Sequence, residues 1–267
     1  GQTLDIVWRY KLSTPWDIST ATIKKQSTWS FDKNDNLLAS FYDIEISSSG
    51  HKLYGISNIG IIYEYDLIVP WSVSSAVYTG RYSGTYPSGP NTSKITEYSL
   101  SKPWDITTIL YVGSMYFASE SAYAHSLEFN YDGTKMYVAG FSSGSIIEYD
   151  LITPWSVIGA RHSSDSFPLY ERDFTSENGT TNSVPRSIYF KPDGSRMYWV
   201  GDTLDKIYQN DLAATWEVKT SSKNGEFKLP STNTYGIKFK NDGTQVYTCE
   251  YTNKIIYQHN LTTPWDI

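Results

Sequence analysis

A Pro-Trp marker recurs along the chain and constrains its fold more than any other feature. It reads Thr14-Pro-Trp-Asp-Ile18, Val69-Pro-Trp-Ser-Val73, Lys102-Pro-Trp-Asp-Ile106, Thr153-Pro-Trp-Ser-Val157, Thr215-Trp-Glu-Val218 and Thr263-Pro-Trp-Asp-Ile267, the fifth copy lacking the proline. The tryptophans Trp16, Trp71, Trp104, Trp155, Trp216 and Trp265 are 55, 33, 51, 61 and 49 residues apart, about 50 per repeat. A fixed period of that length signals one supersecondary unit used several times, with neighbours stacked to bury its apolar face.

Each marker follows a segment that reads as a strand, such as Ile61-Ile-Tyr-Glu-Tyr-Asp-Leu67 or Ile146-Ile-Glu-Tyr-Asp-Leu151. Apolar and polar residues partly alternate there, as in a half-buried strand. Upstream, three units carry an Asp-Gly between alternating runs: Asp132-Gly133, Asp193-Gly194 and Asp242-Gly243. A looser fourth copy spans Ile44–Tyr54. Asp-Gly there predicts a tight hairpin with positive φ, and a structural rather than metal-binding aspartate. Ala21–Phe31 and Thr107–Phe117, after the marker, read as a fourth, outer strand. No stretch has sustained helical spacing.

Four antiparallel strands about every 50 residues predict an all-β fold, a β-propeller of five blades. Six blades result if both short units form reduced ones. The chain reads as one domain, residues 1–267, or as one module of a longer repeat protein. Thr3–Trp16 aligns with Thr252–Trp265 at an offset of 249 residues, which suits either ring closure by the first strand or an excerpt from an array. The 23 Tyr and 9 Trp suit pleated sheets. A net charge of −6, with no basic stripe, argues against a nucleic-acid partner. No apolar run is long enough for membrane insertion as a helix.

The pattern Phe-x-x-Asp-Gly-x-x-Met-Tyr-Val followed by Ile-x-Glu-Tyr-Asp-Leu resembles the surface-layer and lactonase-like propeller repeats named for Tyr-Val-Thr-Asn. The Pro-Trp-Asp-Ile marker is similar to one in uncharacterised proteins of aquatic bacteria and their viruses. The resemblance spans nearly the whole chain. It implies the propeller fold and, as one activity, a metal-dependent lactonase using carboxylates in a central channel. Fold alone does not decide between functions.

No catalytic constellation stands out, so no catalytic residue, metal site or cofactor is assigned. His51, His125, His162 and His259 show no ligand spacing and fall at different phases of the repeat. Glu64, Glu97 and Glu148 share one phase of the third strand, where a solvated face or a cross-strand pair is expected. Cys249 reads as a buried strand thiol. The marker tryptophans read as structural, each packed between neighbouring blades, so Trp155→Ala is expected to cost the ~3–5 kcal/mol of an aromatic core deletion.

Loops outside the repeat are the expected place for function. Thr79–Ser93 offers Tyr82 and Tyr86. Arg161–Pro185 offers His162 and Tyr170, with Asp165, Asp173 and Glu177 nearby. Tyrosine among Gly and Ser supplies stacking area with a polar tip. Asn91, Asn178 and Asn260 head glycosylation sequons. The expectation is a non-enzymatic extracellular structural or recognition module on a cell surface, virion or filament. It would contact glycans, or other protein subunits in self-assembly. A lactonase-like enzyme and an intracellular protein-docking propeller are the alternatives.

Overall fold

The computed structural model describes residues 6–30, 41–57, 61–83, 94–116, 124–140, 144–162, 167–168, 184–201, 206–230, 233–251 and 255–267. They form mostly β structure in several small antiparallel sheets, with consecutive strands side by side. One four-stranded sheet runs β3 (Phe41–Ile46), β4 (Lys52–Ser57), β5 (Ile61–Leu67), β6 (Ala76–Ser83). Two-stranded sheets come from β1 (Ile6–Leu12) with β2 (Ala21–Ser30) and from β7 (Lys94–Leu100) with β8 (Ile109–Tyr116). The next sheet is built from β9 (Ala124–Phe129), β10 (Lys135–Gly140) and β11 (Ser145–Asp150). Two short pieces, β12 (Arg161–His162) and β13 (Phe167–Pro168), both pair with β11. Then come β14 (Pro185–Phe190), β15 (Arg196–Gly201), β16 (Lys206–Leu212) and β17 (Ser221–Lys228). The last sheet is β18 (Thr234–Phe239), β19 (Gln245–Glu250), β20 (Ile255–Asn260).

The contacts divide the chain into two compact units. One comprises Gly1–Ser88 and Tyr98–Val112, the other Gly89–Glu97 and Gly113–Ile267. In the first, Leu53, Tyr63, Tyr65, Leu67 and Val73 form a buried cluster. In the second, one cluster joins Met136, Val138, Ile147 and Tyr149, and others surround Trp199 and Phe239. The middle strands are the most buried, because sheet partners cover both of their edges.

The Pro-Trp marker is a β-turn. Asp17 N–H donates to Thr14 O (3.2 Å), Ser72 N–H to Val69 O (3.0 Å) and Ser156 N–H to Thr153 O (3.0 Å). Proline fixes the second position, and the tryptophan takes the third with φ of 61 to 66° in all six copies. That is the type II pattern, in which the third position normally belongs to glycine. Holding an aromatic residue there costs about 1–2 kcal/mol per turn. The indole offsets it. Trp71, Trp155, Trp216 and Trp265 lie on Gly50, Gly133, Gly194 and Gly243, the hairpin glycines of their own sheets. The main-chain N–H groups of these tryptophans donate to those glycine carbonyls at 2.8 to 2.9 Å.

The Asp-Gly hairpin has the expected positive φ, at its glycine. Asn130 to Gly133 form a turn closed by Gly133 N–H to Asn130 O (3.1 Å), with φ of +72° at Gly133. Asp132 Oδ1 accepts from Thr134 N–H (3.0 Å), so its role is to cap the turn. The marker tryptophans are packed but not fully buried: Trp71 is 52% and Trp155 56% exposed, whereas Trp199, outside the marker, is fully buried. Besides the glycine, Trp104, Trp216 and Trp265 meet Tyr54, Tyr137 and Tyr189 of a neighbouring repeat, as expected of indoles set between repeats.

The third-strand glutamates are latches. Glu64 and Glu148 are buried. Glu64 Oε2 accepts from Ile106 N–H (2.5 Å), Glu97 Oε2 from Val157 N–H (2.8 Å) and Glu148 Oε2 from Val218 N–H (2.9 Å). Gln209 Oε1, at the same phase, accepts from Ile267 N–H (3.0 Å). Each acceptor thus grips the main chain just after the marker tryptophan of the following repeat, not that of its own. A second-strand tyrosine adds to the grip. Tyr54, Tyr137 and Tyr198 donate their hydroxyls to the carbonyls of Trp104, Trp216 and Trp265. Of the two expected settings, the cross-strand pair is present, Lys52 with Glu64 and Lys135 with Glu148, and in place of the solvated face stands a buried join between successive repeats.

Candidate functional site

The first strands β9, β14 and β18 lie side by side, with β14 in contact with both others. Each carries a β-bulge near its start. Gly140 pairs with Ala124 and Ala139 with Ser126, so His125 is the extra residue. The same break leaves Arg186 between Pro185 and Ser187, and Tyr235 between Thr234 and Gly236. A bulge bends the strand and re-aims its side chain. Here three bulges at one repeat phase bring three side chains into a row. Arg186 Nη1 lies 2.9 Å from His125 Nε2, and the guanidinium carbon sits 4.7 Å from the centre of the Tyr235 ring. Tyr251 then packs edge-on against Tyr235, with centroids 5.1 Å apart.

A second row lies three residues further along the same strands: Glu128, Tyr189 and Lys238. Lys238 Nζ is 5.2 Å from the Tyr189 ring centre. Burial pushes the Glu128 carboxyl above the usual carboxylate range, and Lys238 opposes the shift. Burial, then the nearby Glu128, also raises the Tyr189 phenol. The two rows together supply a guanidinium, an ammonium, an imidazole, a desolvated carboxylate and two aromatic faces. An anion meets the cations there, and a carboxylate of raised pKa is a stronger base than an exposed one.

The sequence expectations do not include these rows. His125 shares its phase with no other histidine, and its partner at that phase is an arginine. The signal lies in the repeat offset: Tyr42, His125, Arg186 and Tyr235 each stand eight residues before a hairpin glycine.

The residues singled out from sequence are placed as follows. Tyr82, half-buried on β6, packs edge-on against Tyr98, with centroids 5.1 Å apart. His162 is in β12, opposite Tyr149. Asn260 is exposed at the end of β20, and its Oδ1 accepts from Gln245 Nε2 (2.9 Å). Tyr86, Tyr170, Asn91, Asn178, Asp165, Asp173 and Glu177 lie outside the described residues. Cys249 is exposed rather than buried, its Sγ above Gly236.

The third-strand glutamates do not fit a metal centre. Glu64, Glu97 and Glu148 stand in three separate sheets, each bound to a main-chain N–H. Lys52 and Lys135 further neutralise Glu64 and Glu148 at 2.5 Å. No group of three or more His, Cys, Asp or Glu side chains able to hold a metal occurs among the described residues.

No family model and no curated protein sequence matches the chain. Solved structures do. A protein from Lactobacillus plantarum aligns with a TM-score of 0.62 at 12% identity, over 97% of this chain and 79% of that one. A "putative 6-phosphogluconolactonase" from Bacteroides uniformis aligns with a TM-score of 0.56 at 13% identity, over 82% of this chain and 67% of that one. The Cps50 (Swd1) β-propeller domain of Myceliophteria thermophila aligns with a TM-score of 0.51 at 10% identity, over 84% and 66%. The chain has a propeller-like fold. At these identities the likeness carries fold and no activity.

Proposed function

We propose that the inner strands β9, β14 and β18 form the binding site for a small anionic ligand, and that the chain acts there as a lactonase-like hydrolase. The observation that carries this reading is Arg186, held between His125 and Tyr235 by three bulged strands. The Bacteroides uniformis protein, named for a sugar-acid lactone activity, adds support through its fold. Arg186 would steady the oxyanion that forms when water attacks the lactone carbonyl. Glu128, raised by burial, would take the proton from that water and return it to the ring oxygen as the ester bond breaks.

The test is hydrolysis of phosphorylated and unphosphorylated aldonolactones by the purified chain, with the Arg186→Met variant alongside. Turnover that falls about 100-fold or more in the variant supports the reading. Saturable binding without turnover makes the same strands a recognition module, as the composition first suggested. Turnover that survives in Arg186→Met removes the inner rows from the chemistry.

A further inference from the structure

The sheet β14–β17 departs in a correlated way from the sheets β3–β6 and β9–β11. Arg196 stands where they have Lys52 and Lys135, and Gln209 where they have Glu64 and Glu148. The two lysines turn to the buried glutamates. Arg196 has no such anion beside it and instead runs outward. Its Nε meets Asp211 Oδ1 (2.7 Å), and its Nη1 meets Trp265 O (2.6 Å) and Asp266 Oδ1 (3.1 Å). Gln209 Nε2 also donates to Asp266 Oδ1 (2.9 Å). Beside this network lies a cleft of about 490 Å³, with Lys191, Ser195, Arg196, Asp211, Trp265 and Asp266 among its lining residues.

We propose that this cleft binds a neutral saccharide of one or two rings. Its volume falls within the range of small-ligand sites, roughly 300–1,000 Å³. Its charges are internally balanced, Arg196 by Asp211 and Asp266, and Lys191 by Asp193 at 2.7 Å. A phosphate or sulfate therefore finds no unopposed cation. A sugar hydroxyl both donates and accepts, and so uses carboxylate oxygens and cationic N–H groups side by side. The indole of Trp265 offers a flat apolar wall for the C–H face of a pyranose. The walls are rigid before binding. Trp265 is stacked on Phe239 at 5.3 Å and tied to Gly243 at 2.9 Å, which lowers the ordering cost of association. The lining of the cleft does not include Arg186, His125 or Glu128, and the proposal does not depend on the hydrolase reading.

The test is a titration of the folded chain with glucose, cellobiose, maltose, lactose and chitobiose, following the Trp265 indole N–H by NMR. Trp265→Phe assigns that resonance. The expected result is a saturable, millimolar shift with at least one sugar, weakened about fivefold or more by Lys191→Ala and by Asp266→Ala. Inorganic phosphate should leave the resonance unmoved. Asp266 also holds Arg196, so Lys191→Ala, which changes a side chain tied to its own hairpin turn, keeps the test clear of folding. No saturable shift with any sugar overturns the proposal. So do equal shifts at Trp71 and Trp155, which would reflect indole exposure alone, unchanged affinity in Lys191→Ala, or a response to phosphate.

Discussion

Trp155 and Gly133 are locked face to face: the tryptophan N–H donates to the glycine carbonyl at 2.8 Å, and a Cβ on the glycine would fall 2.3 Å from the indole Nε1. Each residue has a backbone φ that L side chains avoid, +65° for Trp155 and +72° for Gly133. The indole can hold its turn only because the glycine lacks a side chain. The glycine turn in turn gains its cover from the indole.

Gly133→Ala is therefore expected to destabilise the chain by about 2–4 kcal/mol, from the strained φ together with the displaced indole. Urea unfolding measures it. Repeating the substitution in a Trp155→Ala background separates the two parts, because the clash is gone there and only the strain remains. An equal cost in both backgrounds would mean that the ring does not rest on the glycine.

Trp155→Ala by itself should cost about 1–3 kcal/mol, less than a core deletion, because only part of the indole area leaves water on folding. The variant also relieves part of the unfavourable φ strain. A loss of about 5 kcal/mol in chemical denaturation would show that both faces of this ring are covered.

How far the sequence could be read differs between these features. The Pro-Trp period, the hairpins and the outer strands β2 and β8 follow from local chemistry, and the structure has them close to their expected bounds. Burial of Glu64 and Glu148 is not local. Their phase was visible, but the N–H groups they satisfy belong to the following marker, 42 and 70 residues further on. The inner row was hidden for a different reason. A bulge is a mismatch between two strands, and a single strand such as Ala124–Phe129 does not reveal which residue is the extra one.

The repeats themselves contain a compensation experiment. Lysine accompanies glutamate in two sheets, arginine accompanies glutamine in β14–β17, and two glutamines, Gln245 and Gln258, stand together in β18–β20. Glu148→Ala leaves the Val218 N–H without its acceptor, while Lys135 keeps Asp150 and Glu217, and should cost about 1–3 kcal/mol. Glu148→Gln keeps the acceptor for Val218 and should cost less. Adding Lys135→Arg to Glu148→Gln should restore part of the loss, because the guanidinium can reach Asp150 and the Trp216 carbonyl as Arg196 reaches Asp211 and the Trp265 carbonyl. A double variant no more stable than Glu148→Gln would mean that the two positions are independent.

His259 should give the chain a pH dependence of its own. Its Nε2 is buried with no hydrogen-bond partner among the described residues, and its ring packs against Phe227 at 4.9 Å. Burial holds its pKa below the usual value of 6.5. The unfolded chain thus binds a proton more readily than the folded one. The contribution of His259 is fully present above about pH 6.5 and is lost as pH falls through the folded pKa. His259→Phe should flatten that part of the stability profile between pH 7.5 and 5, measured against the parent chain by urea midpoints. Parallel profiles would assign the acid loss to carboxylates instead.

Arg186 supplies the sharpest test of the inner strands, because its neighbours predict different outcomes for different replacements. Its guanidinium does two things at once: Nη1 reaches His125, and the flat group covers Tyr235. Lysine keeps the charge but has neither the fork nor the plane. If the site needs only a positive charge, Arg186→Lys should bind an anionic lactone or its sugar-acid product nearly as well as the parent. If it needs the arranged guanidinium, Arg186→Lys should lose about tenfold or more in affinity, approaching Arg186→Met. The second outcome is expected, since three bulged strands are used to place this one group. Tyr235→Leu checks the same arrangement from the other side. Removing the ring under the guanidinium should weaken binding severalfold while leaving the charge in place, and the isothermal titration that measures it also reports whether His125 takes up a proton as the anion binds.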